Sequence, residues 1–114
     1  MGQLYKKSVF GKKILAYFEN GQVHGERNAG KVLAYYDNRG YIYKDLDTAV
    51  VATCDINGNI YRGKGVQGAV LAKCEDGKIY KDGKRLKKVL AWYDGDMYGA
   101  AAALAVLELN NMDD

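Results

Sequence analysis

Two cysteines, a single histidine, a recurring carboxylate and a band of tyrosines are the side chains of this 114-residue chain with the chemistry to form a site. Cys54 and Cys74 occupy equivalent places in two related segments. Two thiols fall short of the four-ligand spacing of structural zinc. Free cysteine is also among the most buried residue types, so both read as reduced packing groups. His24 has no Ser or Cys nucleophile beside it in any recognisable motif. Walker loops, dinucleotide fingerprints, nucleophile elbows and EF-hands are absent. No catalytic residue, no metal and no cofactor is expected.

Glu19, Asp37, Asp55, Glu75 and Asp94 recur at nearly even spacing. A ring of carboxylates suits a cation, but acids ending a strand more often cap the turn that follows. Tyr5, His24, Tyr43, Tyr61, Tyr80 and Tyr98 recur likewise, beside Lys6, Lys44, Arg62 and Lys81. Such a band suits stacking of sugars or bases. Ordinary cross-strand aromatic pairing under snorkelling lysines is the plainer reading. If the chain binds a glycan or another small ligand, these six residues are the candidate site.

The elements that must position these groups are written in a repeat. "GQLYKK", "GQVHGE", "GYIYKD", "GNIYRG", "GKIYKD" and "GDMYGA" share the phrase Gly-x-aliphatic-Tyr, with His24 once replacing Tyr. A second phrase alternates with it: "KKILAYFE", "GKVLAYYD", "TAVVATCD", "GAVLAKCE" and "KKVLAWYD". Its anchors are Ala16, Ala34, Ala52, Ala72 and Ala91, which suit an inward position at a crowded axis. Period two places Ile14, Val32, Val50, Val70 and Val89 on the alanine face, and Leu15, Leu33, Val51, Leu71 and Leu90 on the other. Asn-Gly and Asp-Gly at 20–21 and 76–77 are strong two-residue hairpin signals. Further turns are expected near 38–39, 56–58 and 94–95.

The unit is therefore a β-hairpin of about 18–19 residues, and the chain a meander of eleven short strands. One hairpin cannot bury its face alone. Five near-equivalent units share a core by closing into a pseudo-five-fold ring, which also removes exposed strand edges. The strand at Leu4–Lys6 should complete that ring with the last unit. One domain, 1–114, is expected: a β-hairpin ring over 1–99 and a helix over 100–110.

Composition agrees with this class. Fourteen glycines without proline suit many tight turns, and ten tyrosines suit strands. A net charge of +3 spread along the chain is a solubility feature rather than a nucleic-acid stripe. No apolar run reaches the ~18 residues of a membrane span, and no secretory apolar region follows Met1. Lys6 stands where a myristoylation signal needs Ser or Thr. The chain reads as cytoplasmic, with no nucleic-acid and no membrane partner.

Five glycine-turn hairpins followed by the alanine-containing apolar tail "GAAAALAVLEL" make the chain similar to the bacterial β-flower proteins of the five-fold kind. The resemblance covers nearly the whole chain and implies a ring of hairpins. It implies no transferable activity.

That tail breaks the repeat. Alanine and leucine favour helix, and a helix this short must be buried to persist. Leu104 and Leu107 share a side with Ala100 and Ala103, Val106 and Leu109 widen it, and Glu108, Ala101 and Ala105 form the remaining face. The partner surface is either the floor of the chain's own ring or the same helix of a second chain. The small alanines, which allow close helix approach, favour a homo-oligomer with Leu104, Val106, Leu107 and Leu109 at the interface and the helix also touching its own ring. The functional expectation is a non-enzymatic structural, protein-interaction or self-assembly module. The alternative is a glycan or small-ligand binder using the tyrosine band.

Overall fold

The computed structural model describes residues 2–25, 31–44, 49–66, 68–81 and 88–107. Among them are ten strands: β1 (Gly2–Ser8), β2 (Gly11–Glu19), β3 (Gln22–Gly25), β4 (Val32–Tyr36), β5 (Tyr41–Tyr43), β6 (Val50–Cys54), β7 (Asn59–Arg62), β8 (Ala72–Glu75), β9 (Lys78–Lys81) and β10 (Lys88–Asp94). One helix follows, α1 (Met97–Leu107). Every strand pairs antiparallel with its neighbours in sequence, and β1 also pairs with β10, so the sheet closes. The protein is an all-β ring of hairpins with a short C-terminal helix.

Closure reuses the hairpin register. Within the first hairpin Tyr17 faces His24, Phe18 faces Val23 and Glu19 faces Gln22. Across the seam Trp92 faces Tyr5, Tyr93 faces Leu4 and Asp94 faces Gln3. The N-terminal phrase thus serves as the second strand of the fifth hairpin, out of sequence order. The sixth phrase, "GDMYGA", has no edge left to pair with. Met97 and Tyr98, expected in an eleventh strand, instead form the first turn of α1. The boundary between ring and helix accordingly lies at Met97 rather than at residue 100, and residues 108–110 fall outside the described ones.

Two turn designs link the hairpins at one end of the ring. Asn20-Gly21 and Asp76-Gly77 have positive φ at both residues, 52° and 80°, and 53° and 77°. That is the primed two-residue turn whose twist matches the strands. The turns at 37–41 and 55–59 are longer and put Gly40 and Gly58 at φ 89° and 91°. No other residue fits there, since a Cβ on either glycine would run into the carbonyl of Cys54 or Cys74.

The core consists of Leu4, Val23, Ile42, Ile60 and Ile79, the five anchor alanines, and most of α1, all fully buried. Strict period two fails next to four of the five anchors. The register slips between Leu4 and Tyr5, Val23 and His24, Ile42 and Tyr43, and Val89 and Ala91. These bulges fall at Leu15, Leu33, Val51 and Leu90. A bulge bends the strand and re-aims its side chains. Leu15, Leu33 and Leu90 therefore pack against the core, as does Leu71. Ile14, Val32, Val50, Val70 and Val89, assigned to the inner face by period two, are not among the residues that do. Val51 remains 44% exposed.

α1 fills the ring. Gly99 and Ala100–Ala105 are buried without interruption, which covers every side of a helix and fits an apolar surface all round. The face of Ala101 and Ala105, which the large aliphatics leave to small residues, is closed as well. The ten-strand ring leaves room for a helix because both sides of the contact are alanine. Asp96 starts the helix: its carboxylate accepts a hydrogen bond from the Tyr98 backbone N–H at 3.1 Å, and its carbonyl accepts from Ala100 at 3.0 Å.

Candidate functional site

Each hairpin ends at its short turn with an acid of the second phrase, and Arg39 and Lys78 lie at that end as well. The short-turn end carries Glu19, Asp37, Asp55, Glu75, Asp94 and Asp96. At the open end lie Lys6, Lys7, Lys12, Lys13, Lys44, Arg62 and Lys81, with no acid there among the described residues.

At the short-turn end two of the five recurring carboxylates, Asp37 and Asp55, organise their turns, as one of the two sequence readings had it. One oxygen of Asp37 accepts from the backbone N–H groups of Arg39 and Tyr41, at 3.0 and 3.1 Å. The other accepts from the Arg39 guanidinium at 2.8 Å and from the Tyr43 hydroxyl at 3.4 Å. Asp55 repeats the pattern with the backbone of Asn57 and Asn59, the Asn59 amide and the Tyr61 hydroxyl. Burial raises the Asp37 carboxyl, but the hydrogen bonds from Arg39 and Tyr41 outweigh it and hold Asp37 below the ordinary carboxylate value. Among the described residues, no group of three or more His, Cys, Asp or Glu side chains is arranged to hold a metal.

Two adjoining clefts, of about 400 and 460 Å³, open at this end and share Asn20, Gly21, Tyr36 and Asp96. Glu19 lines one, while Asp37 and Tyr98 line the other. Burial, then the nearby Asp96 and Glu19 charges, push the Tyr36 phenol upward, so it stays neutral.

Five of the six residues of the proposed aromatic band hold strand positions, and Tyr98 lies in α1. Tyr5, His24, Tyr43 and Tyr61 are half-buried in cross-strand positions opposite Trp92, Tyr17, Tyr35 and Thr53, and Tyr80 lies opposite Lys73. Tyr98 lines the second cleft. The Nδ1 atom of His24 is buried without a hydrogen-bond partner.

Cys54 and Cys74 are free thiols, buried in the core. They touch: the hydrogen bond with Cys54, then burial, push the Cys74 thiol far above its ordinary range. Their small size has a local cause. Tyr98 lies over the Gly40 turn next to the Cys54 carbonyl, and Met97 over the Gly58 turn next to the Cys74 carbonyl. The helix thus enters the ring on this side, and large residues remain only at the equivalent positions Phe18, Tyr36 and Tyr93.

The described tail residues considered for an oligomer interface meet the chain's own ring. Leu104 is fully buried in the chain's own core, and Val106 and Leu107 are half-buried against it. Leu109 lies outside the described residues.

The basic end holds a feature that sequence reasoning passed over. β1 and β2 pair from Gly2 with Phe18 to Ser8 with Gly11. Among the described residues, β10 accompanies β1 only to Tyr5, and β3 accompanies β2 only from Ala16. The pairs Lys6–Lys13, Lys7–Lys12 and Ser8–Gly11 therefore leave the ring as a two-stranded finger. At ~3.4 Å per residue it projects roughly 10 Å. Its tip is Val9-Phe10, 94% and 97% exposed. The base is braced by Lys7 over the Trp92 ring at 5.3 Å and Lys12 over the Tyr5 ring at 4.1 Å. Lys12 also reaches Asp94 at 3.7 Å. The signal was present in the string "KKSVFGKK", residues 6–13, where two apolar residues take the turn places that Gly, Asn and Asp usually fill.

No family model, curated protein or solved structure matches the chain. Among the described residues no helix is long and apolar enough to cross a membrane.

Proposed function

We propose that the protein is a non-enzymatic interaction module: a rigid, helix-plugged ring that presents the β1–β2 finger to a partner. The kinship with five-fold β-flower proteins is part of this reading. One observation carries it. Lys6 faces Lys13 and Lys7 faces Lys12 in successive cross-strand pairs, and the turn beyond them exposes Val9 and Phe10. Like charges placed directly opposite destabilise a sheet, and neither tip residue belongs to the core. The exposed apolar tip therefore adds nothing to the core, which is the pattern of a binding element. The test is photo-crosslinking in a lysate of the native host, with wild type compared with Val9→Ser/Phe10→Ser. Adducts lost in the variant support the module. Identical adducts would refute a docking role for the finger.

A second reading rests on the clefts. Tyr36 and Tyr98 with Glu19, Asp37 and Asp96 offer aromatic faces and carboxylates to a small organic cation. This keeps a ligand-binding role but moves it from the outer tyrosine band to the short-turn end. Titration calorimetry with a quaternary amine such as choline checks it: saturable heat lost in Tyr36→Ala supports it, and heat equal to dilution rejects it.

A further inference from the structure

We infer that the β1–β2 finger docks on an anionic lipid bilayer, with Val9 and Phe10 entering the interfacial region and the lysines below them meeting lipid phosphates and carboxylates. The inference rests on the interaction reading above and names the partner.

Three features select this occupant. The first is size. Stable protein interfaces take about 800 Å² from each partner, and a tip of two side chains on a narrow ribbon supplies only a fraction of that. A bilayer needs no matching pocket, since any apolar group that reaches the acyl boundary is accommodated. The second is layering. Val9 and Phe10 occupy the tip, Ser8 and Gly11 the next level, and the two Lys–Lys pairs the levels behind. At ~3.4 Å per residue the lysines sit roughly 5–10 Å behind the apolar tip. That matches the shallow depth to which interfacial elements insert. A surface of negative charge attracts basic residues at this depth. The third is the kind of base. The finger carries lysine throughout and no arginine. Arginine's planar fork is the group suited to bidentate phosphate and base-edge recognition in nucleic acid. Lysine is a point charge on a flexible stem that snorkels beside an apolar neighbour. The earlier expectation of no membrane partner rested on spanning length, which a peripheral contact does not need.

The experiment is flotation of the full chain with phosphatidylcholine vesicles, with and without phosphatidylserine, at low and high salt. Binding is expected only to the serine-lipid vesicles and should fall with salt. Phe10→Ser should abolish most of it. Lys7→Gln and Lys13→Gln should each weaken it about fivefold, from ~1 kcal/mol per lysine at an anionic surface. Thermal melting of each variant, expected within a few degrees of wild type, separates lost docking from lost folding. No flotation with either lipid, or flotation unchanged by Phe10→Ser, overturns the inference. So does tight binding to a duplex oligonucleotide without flotation, which would make the finger a nucleic-acid element. If flotation fails while finger-dependent protein crosslinks persist, the interaction module stands and its partner is a protein.

Discussion

Phe18 and Gly99 are steric complements: a side chain on Gly99 would have its Cβ inside the Phe18 ring. Gly2 makes the same allowance from β1, and a Cβ on Gly95 would come within 2.7 Å of the Gly2 Cα. The largest core side chain is thus held between the start of the chain and the first turn of the helix. Glycine within a helix costs about 1 kcal/mol relative to alanine, so its place in an otherwise alanine-rich helix needs this packing reason.

Gly99→Ala should therefore destabilise the fold by about 1–3 kcal/mol through overpacking, although alanine is the better helix former. Adding Phe18→Leu to it should restore part of the loss. Denaturant unfolding of the two single variants and the double variant measures the coupling, and strictly additive effects would show that the two sites do not meet.

The bulges yield a reversal that the hydrophobic pattern alone would not suggest. Leu33 packs on the core and Val32 does not. Leu33→Ala should cost about 2 kcal/mol and Val32→Ala under about 1 kcal/mol. The opposite ranking in urea unfolding would restore the simple alternation.

Asp37 links stability to acid pH. Its carboxyl is held below the ordinary value, so its contribution is complete above that value and is lost as pH falls through the lower folded value. Asp37→Asn keeps an oxygen for the Arg39 and Tyr41 amides and should mainly flatten this acid limb. Asp37→Ala also removes those two backbone hydrogen bonds and should cost about 1–2 kcal/mol. Melting curves between neutral and acid pH distinguish the two variants. An equal loss from Asn and Ala would mean that the backbone bonds carry nothing.

The thiols should resist labelling in the native protein, because both are buried and Cys74 is held protonated by Cys54 and by burial. Both should label fully in denaturant without reductant. Incomplete labelling there would reveal a bridge between them.

Much of this architecture is written locally. Asn20-Gly21, Asp76-Gly77 and the even spacing of the alanines declare hairpins, and the count of five declares a ring. The Leu4 segment was recognisable as the closing strand because it carries the same phrase as the hairpin returns. What was not legible depends on competition between distant segments. "GDMYGA" reads as a strand until β1 is seen to hold the edge it would pair with. The bulges at Leu15, Leu33 and Leu90 arise from ring curvature, which no single strand encodes. Helix 97–107 reads as an interface when taken alone, and as a core once ten strands surround it. The finger was missed for the opposite reason. Lys6, Lys7, Lys12 and Lys13 were counted towards net charge, whereas their meaning lies in being paired face to face below Val9 and Phe10.

The plugged ring is tested most directly by native-state amide hydrogen exchange of the full-length chain. If α1 is the core of the ring, the amides of Ala101–Leu104 should exchange only through global unfolding, with protection equal to that of Ile42 and Ile60 in the strands around them. Exchange of those helix amides at the rate of a fraying terminus, while the strands remain protected, would show that the ring closes without its helix and would contradict the plugged ring.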